Sequence, residues 1–388
     1  MQKTDKEILE ALLKIIHDIN MENASKKKPV STLAEVLSEK SVTSLRELGK
    51  LCGLSGLSKM SKQFLIPKVI SGLTDENFLK EVFFFMDSVE WEFFTKVVKV
   101  TKVTDDKQLS ENYSILLKLC ILCLYYHDGH FHYVVPNEIK IVYKSLEKSG
   151  FTAYKKHTDL INEYALATTN LYGLISQDDF VELFNSQNED VTDIDEVFET
   201  LYTHILLKPG YCFYGVYIVN DYFEGNDFLD VGHIARLADS KPRYSPDKQE
   251  LLKYSDWCFN EETPELNRLR MYISNSLTDD EDLQEDILEN ICFMVRAEAE
   301  SQDYIDLLED NGIYLEFKQL QTIMDLIINL HNTSRLWSNN GNKPNDLIKA
   351  EDSHLHTAKN ESTQRVKVSR NAPCPCGSEK KYKRCCGR

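Results

Sequence analysis

Along most of this chain apolar residues recur at intervals of three and four, the spacing of one face of a helix. Ile8, Leu9, Leu12, Leu13, Ile15 and Ile16 predict an amphipathic helix over residues 5–19. The polar stretch Asn23 to Val30, with Lys26-Lys27-Lys28-Pro29, predicts a helix stop and a linker. Leu45, Leu48 and Leu51 predict a short helix broken by Gly53 and Gly56, then an extended connection over 57–62. Leu65, Ile66, Val69 and Ile70 predict the next helix, in which Pro67 is expected to act as a kink or delay. From Asn77 to Val103 the pattern stays helical and aromatic (Phe83, Phe84, Phe85, Trp91, Phe93, Phe94), a stripe that reads as core.

Two stretches depart from the helical period. In residues 113–148, Ile115, Leu116, Leu119 and Leu122 predict a helix, and Asp128-Gly129 between β-formers predicts a type I′ hairpin turn. Pro136 is expected in the first turn of the helix that follows. Helix, hairpin, helix is the grammar of a winged-helix unit. A second such unit is expected from Ser176 as the N-cap of a helix through Phe184, a helix over 193–203, and paired strands from Tyr211 to Tyr222. Residues 247–330 predict further helices separated by acidic turns at 260–265 and 278–286. Asn332 to Leu347 is expected to close the globular body, and the polar run Lys349 to Val368 to form a flexible linker.

Composition narrows the class. A chain of 388 residues with 42% hydrophobic and 28% charged positions can bury two or three cores. It contains no run of eighteen apolar residues and its N-terminus shows no apolar signal segment, so a cytosolic protein without membrane insertion is expected. The net charge of −17 is unevenly spread: residues 365–388 carry +7, leaving −24 on residues 1–364. An acidic body disfavours wholesale coating of nucleic acid, whereas a basic appendage suits an anionic partner.

Six of the ten cysteines (Cys52, Cys120, Cys123, Cys212, Cys258, Cys292) are scattered among apolar neighbours, as reduced core thiols are. The other four, Cys374, Cys376, Cys385 and Cys386, lie within thirteen residues with the spacing C-x-C-x8-C-C. Two ligand pairs across a short loop can converge on one tetrahedral ion. Gly377 eases the turn, and Pro373 and Pro375 stiffen its approach. A segment this short cannot fold by burial, but structural zinc contributes roughly 10–16 kcal/mol in small peptide sites. Four thiolates would close the shell around one Zn²⁺ per chain, marking a structural site with no catalysis. The net −2 of such a site is partly offset by the neighbouring Lys and Arg residues. Iron is the minor alternative, since thiolate tetrahedra accept it too. A Cys385–Cys386 disulfide would be strained and suits an oxidising compartment.

Residues 370–386 closely resemble the SEC-C motif, found at the C-terminus of the translocase motor SecA and of many other bacterial proteins. The motif's usual Gly is replaced here by Glu379. The resemblance implies the four cysteines as ligands and a basic docking surface of Arg370, Lys380, Lys381, Lys383 and Arg384. In SecA-like proteins such a surface meets the chaperone SecB and the ribosome. Residues 41–73 resemble, more loosely, the helix–loop–helix of the Rho N-terminal and SAP modules, which implies nucleic-acid contacts through Lys59, Lys62 and Lys68.

Other chemistry is thin. His127, His130 and His132 surround the first hairpin turn and read as exposed turn histidines, and Cys120-x-x-Cys123 reads as part of an apolar helix. No P-loop, G-x-S-x-G, H-E-x-x-H or dinucleotide fingerprint occurs, so no enzyme is expected. The fold expected is mainly α with small β-hairpins, in which winged-helix-like units sit within a helical body and a zinc knob follows on a linker. Its divisions are an N-terminal helix and linker (1–40), the Rho-N/SAP-like segment (41–75), two winged-helix-like stretches (76–150, 151–240), a helical domain (241–348), the linker (349–367) and the motif (368–388).

Overall fold

The computed structural model describes residues 5–205 and 210–349, and in the C-terminal segment residues 371, 373, 376, 378 and 380–385. The protein is mainly α with two small antiparallel sheets of three strands among these residues. The chain divides into two compact units, 1–159 and 160–388.

The first unit contains α1 (Asp5–Asn23), α2 (Leu33–Ser38), α3 (Val42–Leu51), α4 (Lys62–Leu73), α5 (Glu76–Phe84) and α6 (Ser88–Val98). After β1 (Val103–Thr104) come α7 (Ser114–Lys118), β2 (Cys123–His127), β3 (His130–Val134) and α8 (Asn137–Lys148). Polar residues cap the helix starts. Ser41 caps α3, and Asp87 and Glu90 form a reciprocal capping box on α6. α4 runs through Pro67 as one helix, with Leu65 and Val69 fully buried on either side of it. Gly53 and Gly56 both take positive φ in the connection before it.

The aromatic stripe is core: Phe83 meets Phe94 in a tilted contact at 4.9 Å, and Phe93 stacks on Tyr113 at 4.7 Å. Asp128 and Gly129 have φ of 52° and 82°, the two positive values a type I′ turn requires, and His127 pairs with His130 across it. Pro136 stands one position earlier than expected, at the N-cap of α8. The stretch after α1 is less of a linker than its composition suggests, because Ser25 bonds the backbone of Leu124 and Tyr126 on the edge of β2.

The unit boundary falls within α9 (Phe151–Tyr172). The second unit continues with β4 (Leu174–Ser176), α10 (Gln177–Gln187), α11 (Ile194–Ile205), β5 (Tyr211–Tyr214) and β6 (Tyr217–Asn220), in sheet order β4-β6-β5. The helices α12 (Val231–Asp239), α13 (Lys248–Leu251), α14 (Pro264–Ser276), α15 (Glu281–Ala297), α16 (Ser301–Asp310) and α17 (Phe317–Thr333) follow. Ser176 caps α10 by accepting from Asp179 N at 3.1 Å. Trp337, fully buried, donates from its indole Nε1 to Asn170 O at 3.1 Å. Its ring presses on Gly173, where a Cβ would stand 2.5 Å from Trp337 Cδ2. Residue 173 therefore has to be glycine for the tryptophan to seat. Lys349 is helical, and the rest of the expected linker lies outside the described residues.

Candidate metal centre

In the C-terminal segment an antiparallel bridge pairs Pro373 with Lys381, closing a loop around Cys376 and Ser378. A 3₁₀ turn, Tyr382–Arg384, then delivers Cys385 back toward that loop. The result places Cys376 Sγ 3.4 Å from Cys385 Sγ. That distance is far beyond a disulfide bond of about 2.05 Å. It is close to the separation of about 3.8 Å between two sulfurs sharing a tetrahedral zinc at about 2.3 Å each. The donor set therefore fits a thiolate-bound ion.

Ser378 was not singled out by spacing, yet its Oγ lies 3.2 Å from both sulfurs, accepting from Cys376 and donating to Cys385. A hydroxyl so placed can orient both sulfurs and stabilise thiolate charge. Its signal in the sequence was its position two residues after Cys376 in the motif. Lys380, Lys381, Lys383 and Arg384 are exposed around this loop. Cys374, Cys386 and Arg370 lie outside the described residues.

The other residues singled out from sequence are scattered through the first unit. Lys59 and Lys68 are exposed, but Lys62 is engaged, donating to Ser38 O at 2.6 Å. The neighbouring Arg46 likewise bonds Leu57 O at 3.2 Å and Met60 O at 3.4 Å, tying the extended connection to α3.

The hairpin histidines need a correction. His132 is buried, held between Thr104 Oγ1 at 2.8 Å and His127 O at 3.2 Å, because β1 pairs alongside β3 and sets Thr104 directly opposite it. Burial, with Lys102 nearby, holds its pKa below the usual histidine value. His130 pairs with Asp106 at 2.7 Å. Cys120 and Cys123 also differ from expectation. Cys120 sits in a turn with φ of 55° and Cys123 opens β2, so no helix presents them together. Both are buried, and burial pushes both thiols up. Among the described residues no group of three or more His, Cys, Asp or Glu side chains is placed to hold a metal.

The family model of the SEC-C motif matches residues 370–388. Protein translocase subunit SecA of Wolinella succinogenes is 83% identical over 23 residues, 6% of this chain and 3% of SecA. The uncharacterized protein YccF of Bacillus subtilis is 86% identical over 21 residues, 5% of this chain and 6% of that protein. A UPF0225 protein of Vibrio parahaemolyticus is 33% identical over 96 residues, 24% of this chain and 53% of the relative, a stretch several times longer than the motif. The chain thus spans about half of one relative and a few per cent of the others. No solved structure matches it. The C-terminal segment is a SEC-C motif, and no helix among the described residues is long and apolar enough to cross a membrane.

Proposed function

We propose that this chain is a non-catalytic adaptor of the cytosol whose C-terminal module holds one structural zinc and docks on an anionic partner. The observation that carries the reading is the approach of Cys376 and Cys385 to 3.4 Å inside a loop rimmed by exposed cations. Cys374 and Cys386 complete the ligand set, and bound zinc fixes the loop while leaving no open coordination position for chemistry. Arg370, Lys380, Lys381, Lys383 and Arg384 form the docking face. With +7 on residues 365–388, that face suits an acidic protein surface or a ribonucleoprotein such as the ribosome. The likeness to SecA over the motif supports the same kind of role.

The test is affinity recovery from the native host with protein and RNA both identified. The reading expects a specific partner with the full chain and none after deletion of residues 365–388. Equal recovery by the truncated chain contradicts it.

A second reading draws on the helix–extended–helix of residues 42–73, where Lys59 and Lys68 stand exposed, and on the two helix-and-hairpin stretches read as winged-helix-like. It assigns nucleic-acid binding to these stretches, with the exposed lysines of the first unit as the phosphate contacts. A gel-shift series in salt separates the two: Lys59→Ala with Lys68→Ala should weaken binding and flatten its salt dependence if this unit contacts phosphates. The −24 on residues 1–364 favours the adaptor.

A further inference from the structure

α11 buries one stripe and leaves the next one open. Val197 and Leu201 are fully buried, whereas Ile194, Phe198 and Tyr202, each four residues on from the last, are 40%, 46% and 54% exposed. Phe198 stacks on Tyr202 at 5.8 Å and meets Phe213 of β5 in a tilted contact at 5.1 Å, so the rings form one preset ridge. Single exposed apolar side chains are ordinary, but a contiguous aromatic ridge marks a contact surface.

Charge narrows what this ridge can meet. Asp195 and Glu199 flank it on the same helix, both exposed and both without an ion pair among the described residues. Residues 157–207 carry eleven carboxylates and no Lys or Arg. Elsewhere cations stand over rings, as Arg243 does over Tyr172, but none stands over Phe198 or Tyr202 among the described residues. A second copy packed ridge to ridge would set these acids against their own kind. A positively charged occupant fits, gaining cation–π contacts as well as ion pairs. Lys380, Lys381, Lys383 and Arg384 supply one: all are exposed, and none has an ion pair among the described residues. Residues 350–370 join Lys349 to their loop and can span up to about 70 Å. The gyration radius expected for residues 160–349 is about 16 Å, so the loop can reach any face of that unit. A tether of this length sets an effective concentration on the order of a millimolar, enough to populate even a weak contact.

We propose that the basic C-terminal loop docks in cis on this ridge, its Lys and Arg side chains over Phe198 and Tyr202 and against Asp195 and Glu199. The ridge then holds the basic face until a more strongly anionic partner displaces it, which sets a threshold for docking. The inference uses the basic face of the function proposed above, but not its outside partner, so either can fail alone.

The test is carbodiimide crosslinking of the purified full chain, which joins a lysine amine to a carboxylate in direct contact, read by mass spectrometry of the monomer. Crosslinks from Lys380, Lys381 or Lys383 to Asp195 or Glu199 are expected at low salt and should fade at about 1 M salt, where screening acts within about 3 Å. Phe198→Gln with Tyr202→Gln should lower their yield at least about threefold through the lost ring contacts. Trypsin should also cut after these lysines faster in Asp195→Asn with Glu199→Gln, because undocked side chains are accessible. No such crosslink leaves the ridge to another protein and overturns the proposal. A yield unchanged by salt or by the ring substitutions overturns it too, as do crosslinks found only between two copies. Should the ring variant fail to fold, an unchanged trypsin rate in Asp195→Asn with Glu199→Gln overturns it instead.

Discussion

Cys120 and Cys123 stand three residues apart in sequence, as metal-binding pairs commonly do, whereas Cys376 and Cys385 stand nine apart. The structure reverses what bare proximity suggests. The near pair is split between a turn and a strand and is buried, so each thiol stays in its protonated form and packs as a small apolar side chain. The distant pair is brought to 3.4 Å by one backbone bridge and one 3₁₀ turn, at a surface rich in cations. Burial and backbone path, more than spacing, decide which cysteines can act as ligands. The same contrast separates two means of stabilisation. The body is held by apolar cores such as that around Trp337, while the C-terminal loop is too short to have one.

The largest effect should come from the ligands themselves. Cys385→Ser with Cys386→Ser removes half of the proposed shell, forfeiting most of a binding free energy of roughly 10–16 kcal/mol. Chelator competition should then show no measurable zinc affinity. Next comes the body, which should be indifferent to metal: Trp337→Ala costs about 3–5 kcal/mol through the lost core side chain. Denaturant unfolding should report that loss equally with and without chelator. A body whose midpoint shifts on chelation would erase the contrast between the two regions.

Ser378→Ala sharpens the picture at smaller scale. Loss of its contacts to both sulfurs should lower zinc affinity roughly 10–100-fold without changing stoichiometry. The smallest effect concerns pH. His132 has a folded-state pKa below its unfolded value of about 6.5, so protons favour the unfolded chain. Its contribution is intact above that value and is lost as pH falls through the folded pKa. His132→Gln should reduce the fall in unfolding free energy between pH 7.5 and pH 5.5, and an unchanged slope would remove this histidine from the account.

Much of the fold was legible because local rules and tertiary packing agree. Asp128-Gly129 can hardly do other than turn, and Ser176 caps the helix its position announces. Failures arose where packing overrode a local rule. Pro67 costs one hydrogen bond, yet Leu65 and Val69 bury fully on either side and hold α4 together. His132 looked exposed because it neighbours a turn, but a third strand, only two residues long, covers it. Lys62 reads as a free cation and is spent on a backbone carbonyl, as its neighbour Arg46 is too. The approach of Cys376 and Cys385 was legible in their motif, whereas the place of Ser378 between them was not, because it depends on a loop path that spacing does not encode.

The central claim is tested most directly by metal analysis of the full chain purified under reducing conditions. The account predicts one zinc per chain, retained in Cys120→Ala with Cys123→Ala and lost in Cys385→Ser with Cys386→Ser. A chain that binds no zinc, or that keeps it after the second pair of substitutions, contradicts the assignment.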